Sequence, residues 1–116
     1  MTPVYAPAAY VAGPVTLQAG VVSSLLDLIQ VQLQTNCAGT CVEFMLQADP
    51  TNSSAISVGA ANSLNGPLTS TNYGYKLAPG SAPRIYRSTY PGASAPLGEL
   101  QVLSIASAIL HVEAIF

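Results

Sequence analysis

Hydrophobic and polar positions along this chain alternate mostly with period two. Val42, Phe44 and Leu46 are separated by Glu43, Met45 and Gln47, the pattern of a strand with one face in a core. This register predicts Val42, Phe44 and Leu46 inward and Glu43 and Gln47 outward. Shorter runs of strand character fall at Val15–Gln18, Ala55–Val58, Tyr73–Leu77, Arg84–Ser88, Leu100–Ile105 and Leu110–Ile115. Turn-forming groups separate them, namely Asp49-Pro50, Asn65-Gly66, Ala78-Pro79-Gly80-Ser81 and Tyr90-Pro91-Gly92. Pro at the second and Gly at the third position of Ala78–Ser81 specify a type II turn, with positive φ at Gly80.

One segment carries two conflicting patterns. Leu25, Leu28, Ile29 and Leu33 share a face at helical spacing, with Ser24 placed to cap and Asp27 at the third helical position. Ile29–Gln34 also alternates as a strand would. The segment 24–34 is read as a short helix, with a strand as the alternative. At the N-terminus, residues 1–14 hold three prolines, four alanines and two tyrosines. Proline removes donors and fixes φ, which predicts an extended arm and neither a helix nor a central strand. Tyr5 and Tyr10 favour an arm laid on a neighbour. Five to seven short strands with Gly/Pro turns predict a mainly all-β fold, a single small β-sandwich or jelly-roll-like domain over 15–116 behind the arm.

Composition sharpens this picture. Among 116 residues there are three Lys/Arg, five Asp/Glu and one His, with half the residues hydrophobic. A typical domain of this size would carry about 29 charges. The hydrophobic content excludes low-hydrophobicity disorder, and a net charge of −2 excludes electrostatic binding of nucleic acid by counterion release. The most apolar stretches, Leu25–Leu33 and Val102–Leu110, fall short of the about 20 residues a spanning helix needs. No Lys or Arg precedes Asp27, so the basic region of a signal peptide is missing. The chain is expected to be soluble and unprocessed, with no membrane partner. Met1–Leu26 and Pro50–Tyr75 contain no charged residue. A surface so poor in charge is poorly protected against association, which predicts that other protein covers much of it.

The chemistry-bearing residues are few. Cys37 and Cys41 flank Ala38-Gly39-Thr40 and fit either a local disulfide or two buried reduced thiols. A zinc site lacks ligands, and redox motifs are usually C-x-x-C. His111 lies on the same strand face as Glu113, but no G-x-S-x-G nucleophile elbow accompanies it. No catalytic residue, cofactor or metal is expected, and the chain is read as a non-enzyme. Asn52-Ser53-Ser54 matches a glycosylation acceptor formally and is read as a turn. All three cations, Lys76, Arg84 and Arg87, fall within twelve positions and are interleaved with Tyr73, Tyr75, Tyr86 and Tyr90. Tyr and Arg are enriched where proteins bind proteins. Tyr73, Tyr75, Arg84, Tyr86 and Arg87 are therefore the candidate partner contacts, together with Tyr5 and Tyr10.

The segments LQADPTNSSAISVGAANS, GYKLAPGSAPRIY and LQVLSIASAILHVEAIF together resemble small β-sandwich structural proteins of tailed bacteriophages. The match rests on Gln47–Pro50 with Asn52, on Ile56–Gly59, on Leu77–Gly80 and on Leu100–Phe116, and spans roughly 41–116. These are turn and strand motifs. The resemblance implies a capsid decoration, or cement, protein in the virion, made in the host cytoplasm. Its implied partner is the major capsid protein, and its implied state is a homotrimer clamping neighbouring shell subunits. A tail, baseplate or fibre component, contacting a receptor, is the alternative it allows.

Overall fold

A computed structural model describes residues 10–60, 68–69, 71–87, 95 and 97–116. Among the described residues, eight strands form two four-stranded antiparallel sheets. The first sheet has the order β1 (Tyr10–Leu17), β8 (Ala108–Ile115), β3 (Glu43–Ala48), β6 (Arg84–Arg87). The second has the order β2 (Ser23–Ser24), β7 (Leu100–Ser104), β4 (Ile56–Ala60), β5 (Tyr75–Leu77). This is the small β-sandwich that the alternation predicts. Inward residues of both sheets form one core, with Val15, Leu17, Phe44, Leu46, Leu110 and Val112 from the first and Ile56, Val58, Leu77 and Val102 from the second.

Alternation places most side chains where it should. Phe44, Leu46 and Ala48 are buried, while Glu43, Met45 and Gln47 are partly exposed on the outer face. Val42 is the exception. It stands in a bend between the isolated Cys41–Ala95 bridge and the first residue of β3, and that bend turns its side chain out, leaving it 56% exposed.

The helix reading of 24–34 holds as α1 (Leu25–Gln32), with Ser24 at the cap accepting from the Asp27 N–H. Leu25 and Ile29 are buried beneath it. Helical spacing prevails over the strand alternation of Ile29–Gln34 because it buries one apolar face while leaving Gln32 to reach β1.

The N-terminal segment departs from the expected arm. Tyr10–Leu17 is one continuous strand paired along its whole length with β8, from Tyr10 opposite Ile115 to Leu17 opposite Ala108. The strand thus begins five residues before Val15. Pro14 is accommodated because β1 is an edge strand, where a residue without an N–H can face away from its neighbour. Residues 1–9, and Tyr5 with them, lie outside the described residues, as do Asn65-Gly66 and Tyr90-Pro91-Gly92.

The two turns that carry the resemblance pack against each other. Asp49 accepts from the Thr51 N–H (2.8 Å) and hydroxyl (2.5 Å). The Asn52 side chain then accepts from the Ile109 N–H (2.8 Å) and donates to the Ile109 carbonyl (2.9 Å), which extends the sheet past the end of β3. The Gly80 N–H donates to the Ala48 carbonyl (3.2 Å), and Gln47 donates to the Ser81 carbonyl (3.2 Å). Gly80 has φ +71°, and Ser81 N–H donates back to Ala78 (3.1 Å), as a type II turn requires.

Candidate interaction surface

The sandwich has two open sides, and the sequence treats them differently. Strands β1 and β2 form one side. Here α1 lies across the gap and Leu33 packs against Gly13, where an added Cβ would stand only 2.9 Å from the Leu33 side chain. Gln32 completes the cover. Its side-chain oxygen accepts from the Thr16 N–H and its amide donates to the Thr16 carbonyl, both at 2.7 Å. An edge strand presents unpaired backbone groups that invite another strand, and a single side chain here occupies both groups of one residue.

Strands β5 and β6 form the other side, joined by the Ala78–Ser81 turn. Every Lys and Arg of the chain is on these two strands. Tyr86 stacks on the buried Phe44 ring with centroids 4.5 Å apart, and its hydroxyl donates to that of Tyr75 across the gap between the sheets. Burial is the main cause raising both phenols above the ordinary tyrosine pKa, so both stay neutral. Arg84 lies over the Tyr75 ring (4.5 Å) and Lys76 over the Tyr73 ring (4.7 Å). Arg87 pairs with Glu43 across β3 and β6 at 3.2 Å. Of the expected cluster, Tyr75, Tyr86 and Arg84 meet one another, whereas Tyr73 is met by Lys76 and Arg87 by Glu43. Its members divide the work, however. Tyr75 and Tyr86 close the side of the core, while Tyr73, Lys76, Arg84 and Arg87 stand outside it.

The cluster continues onto the outer face of the first sheet. Strand register places Tyr10, Ile115, Glu43 and Arg87 in one row across all four strands. The next row runs Ala12, Glu113, Met45 and Ile85. Tyr10 is 56% and Ile85 48% exposed, and Ile115 and Val42 beside them are comparably open. Tyr10 and Arg87 end the same row about 14 Å apart, three strand spacings. Desolvation, and next the neighbouring Glu113 carboxylate, raise the Tyr10 pKa. A shallow cavity of about 70 Å³ lies among Glu43, Met45, Ile85, Glu113 and Ile115. Alternation predicts neither the exposure of Val42 nor that exposed Tyr10, Ile115 and Ile85 gather on one face. The gathering comes from the pairing of strands distant in sequence.

The remaining candidates are structural in their contacts. Cys37 and Cys41 are free thiols buried in the core. The Cys41 backbone exchanges two hydrogen bonds with Ala95, and Gln30 donates to the Cys37 carbonyl (3.0 Å). Burial, then the neighbouring Cys37, pushes the Cys41 thiol up to about 11, and burial also raises Cys37. Such thiols are poor nucleophiles and poor ligands near neutrality. His111 meets Asp49 (2.7 Å) in preference to Glu113. Asp49 is held down at about 2, first by the Thr51 hydroxyl and next by His111. This pair fastens the Asp49 turn to β8. Among the described residues no three His, Cys, Asp or Glu side chains gather as a metal site would require, and no helix is long and apolar enough to cross a membrane.

Comparison with known proteins finds no matching family model, no similar curated protein and no similar solved structure.

Proposed function

We propose that this chain is a structural protein of a tailed-phage virion, a capsid decoration protein that binds the major capsid protein and performs no chemistry. The observation that carries the reading is the outer face of the first sheet. Tyr10, Ile115 and Ile85 stand exposed on it, in a chain with only eight charged side chains. Exposed large apolar side chains interspersed with Glu43 and Glu113 favour a binding face, and Tyr and Arg at the ends of its row are the residue types that dominate such contacts. The resemblance of the turn motifs to those of phage β-sandwich proteins suggests the class of partner. The mechanism is additive: each bound copy bridges neighbouring subunits, and shell rupture must break that contact as well. A closed trimer places three such faces on one shell axis.

The test is cosedimentation with bare phage shells that lack the protein. The intact chain should bind to saturation. Ile115→Asp, which puts a charge in the middle of the face without touching the core, should lose most binding while melting as the parent does. Binding of Ile115→Asp at parental strength would remove this face from the interaction.

A further inference from the structure

We infer that β6 is a docking edge for an extended, acid-bearing segment of a partner protein, which adds to the first sheet as a fifth strand. The inference rests on the binding reading above and names the chemistry of the segment.

The four edge strands are unequal. β1 carries Pro14 and has Thr16 occupied on both backbone groups by Gln32. β2 has two residues and runs directly into α1, and β5 has three. β6 has four residues, contains no proline, and no described residue hydrogen-bonds to its outer edge. Three of its four side chains are exposed. A strand edge unpaired among the described residues, at the far side of the sheet from an edge so closely capped, is the geometry of strand addition, where main-chain bonds give affinity and side chains give choice.

Charge selects the occupant. Arg84 and Arg87 mark the two ends of β6, and Lys76 is on β5. Among the described residues Arg87 alone has a carboxylate partner, Glu43, in a pair whose arginine side chain is 66% exposed. Arg84 and Lys76 lie over tyrosine rings and have no carboxylate among those residues. A second copy of β6 does not fit. Antiparallel self-pairing would set Arg84 against Arg87 twice, and like charges directly opposite are destabilising. A segment with carboxylates opposite Arg84 and Arg87, three residues apart, and an apolar residue opposite the exposed Ile85 satisfies every position. Such a pairing also continues the outer face of Tyr10, Ile115 and Met45 onto the partner.

A six-residue peptide with the core Glu-Thr-Val-Glu, blocked at both ends, tests this with the full chain and without any shell, so it can succeed or fail independently of shell binding. By NMR titration at low salt, the amides of Arg84–Arg87 should shift and their hydrogen exchange should slow, while those of β1 stay unchanged. Replacing both Glu by Lys, or N-methylating alternate residues to block one backbone edge, should weaken binding by about tenfold or more, equal to about 1.4 kcal/mol. Arg84→Glu should do the same in a protein with parental melting behaviour. Equal binding of the Lys or N-methylated peptide, shifts confined to other strands, or no shift at millimolar peptide would each overturn the proposal.

Discussion

Gln32 and Thr16 form a two-way hydrogen-bonded pair, with the glutamine side chain taking the place of a neighbouring strand along the β1 edge. The pair joins the helix to the first sheet and makes that side of the sandwich a closed one. Gln32→Ala should therefore destabilise the fold by about 1 kcal/mol and speed exchange of the Thr16 amide selectively. Urea midpoints and hydrogen exchange measure both. An unchanged Thr16 exchange rate would show that the edge is protected by something else.

Gly80 faces two constraints at once. Its φ of +71° suits glycine, and a Cβ there would stand 3.2 Å from the Pro50 side chain. Gly80→Val should cost about 1–3 kcal/mol, since β-branched residues pay most for positive φ. Gly20 provides the control. It has φ +72° with nothing within 4 Å of an added Cβ, so Gly20→Ala should cost only the backbone strain. Equal losses for Gly80→Ala and Gly20→Ala in thermal melts would mean that contact between the two turns adds nothing.

Asp49 predicts an acid-side change. Its folded pKa of about 2 lies below the ordinary 3.8, so the native state binds fewer protons than the unfolded chain. The resulting stability is present above about pH 4 and is lost as pH falls through 4 towards 2. Asp49→Asn lacks this contribution. Melting temperatures of the two proteins should differ most above pH 5 and converge near pH 2. A constant difference across that range would place the effect in packing rather than ionisation.

Cys37 and Cys41 should resist thiol reagents in the folded protein at pH 8, where burial keeps both protonated. Both should label rapidly in denaturant. Because their folded pKa values are raised, they favour the native state below the unfolded thiol pKa and lose that contribution as pH climbs, that of Cys41 as pH nears about 11. Fast native labelling of either cysteine would contradict its place in the core.

Much of this fold was legible in the residues themselves. Phe44 and Leu46 announce their strand by alternation, Ser24 and Asp27 announce the helix start, and Pro79-Gly80 names its turn. These are local signals, and local geometry obeys them. Val42 and the start of β1 were misread for the opposite reason. A bend after Cys41 overrides the period, and the pairing of Tyr10–Pro14 with His111–Ile115 depends on a partner about a hundred residues away. The aromatic and basic cluster was visible as composition. Its division into core-closing Tyr75 and Tyr86 and outward Lys76, Arg84 and Arg87 was not, because it depends on two sheets meeting along one side.

Copy counting in purified virions tests the central claim most directly. Quantitative mass spectrometry, with the major capsid protein as internal standard, gives the number of chains per particle. The decoration reading predicts a number that scales with the shell, on the order of hundreds per particle, removed together with the shell and not with the tail. A count of a few to a few dozen copies that follow the tail, or no copies at all, would contradict it.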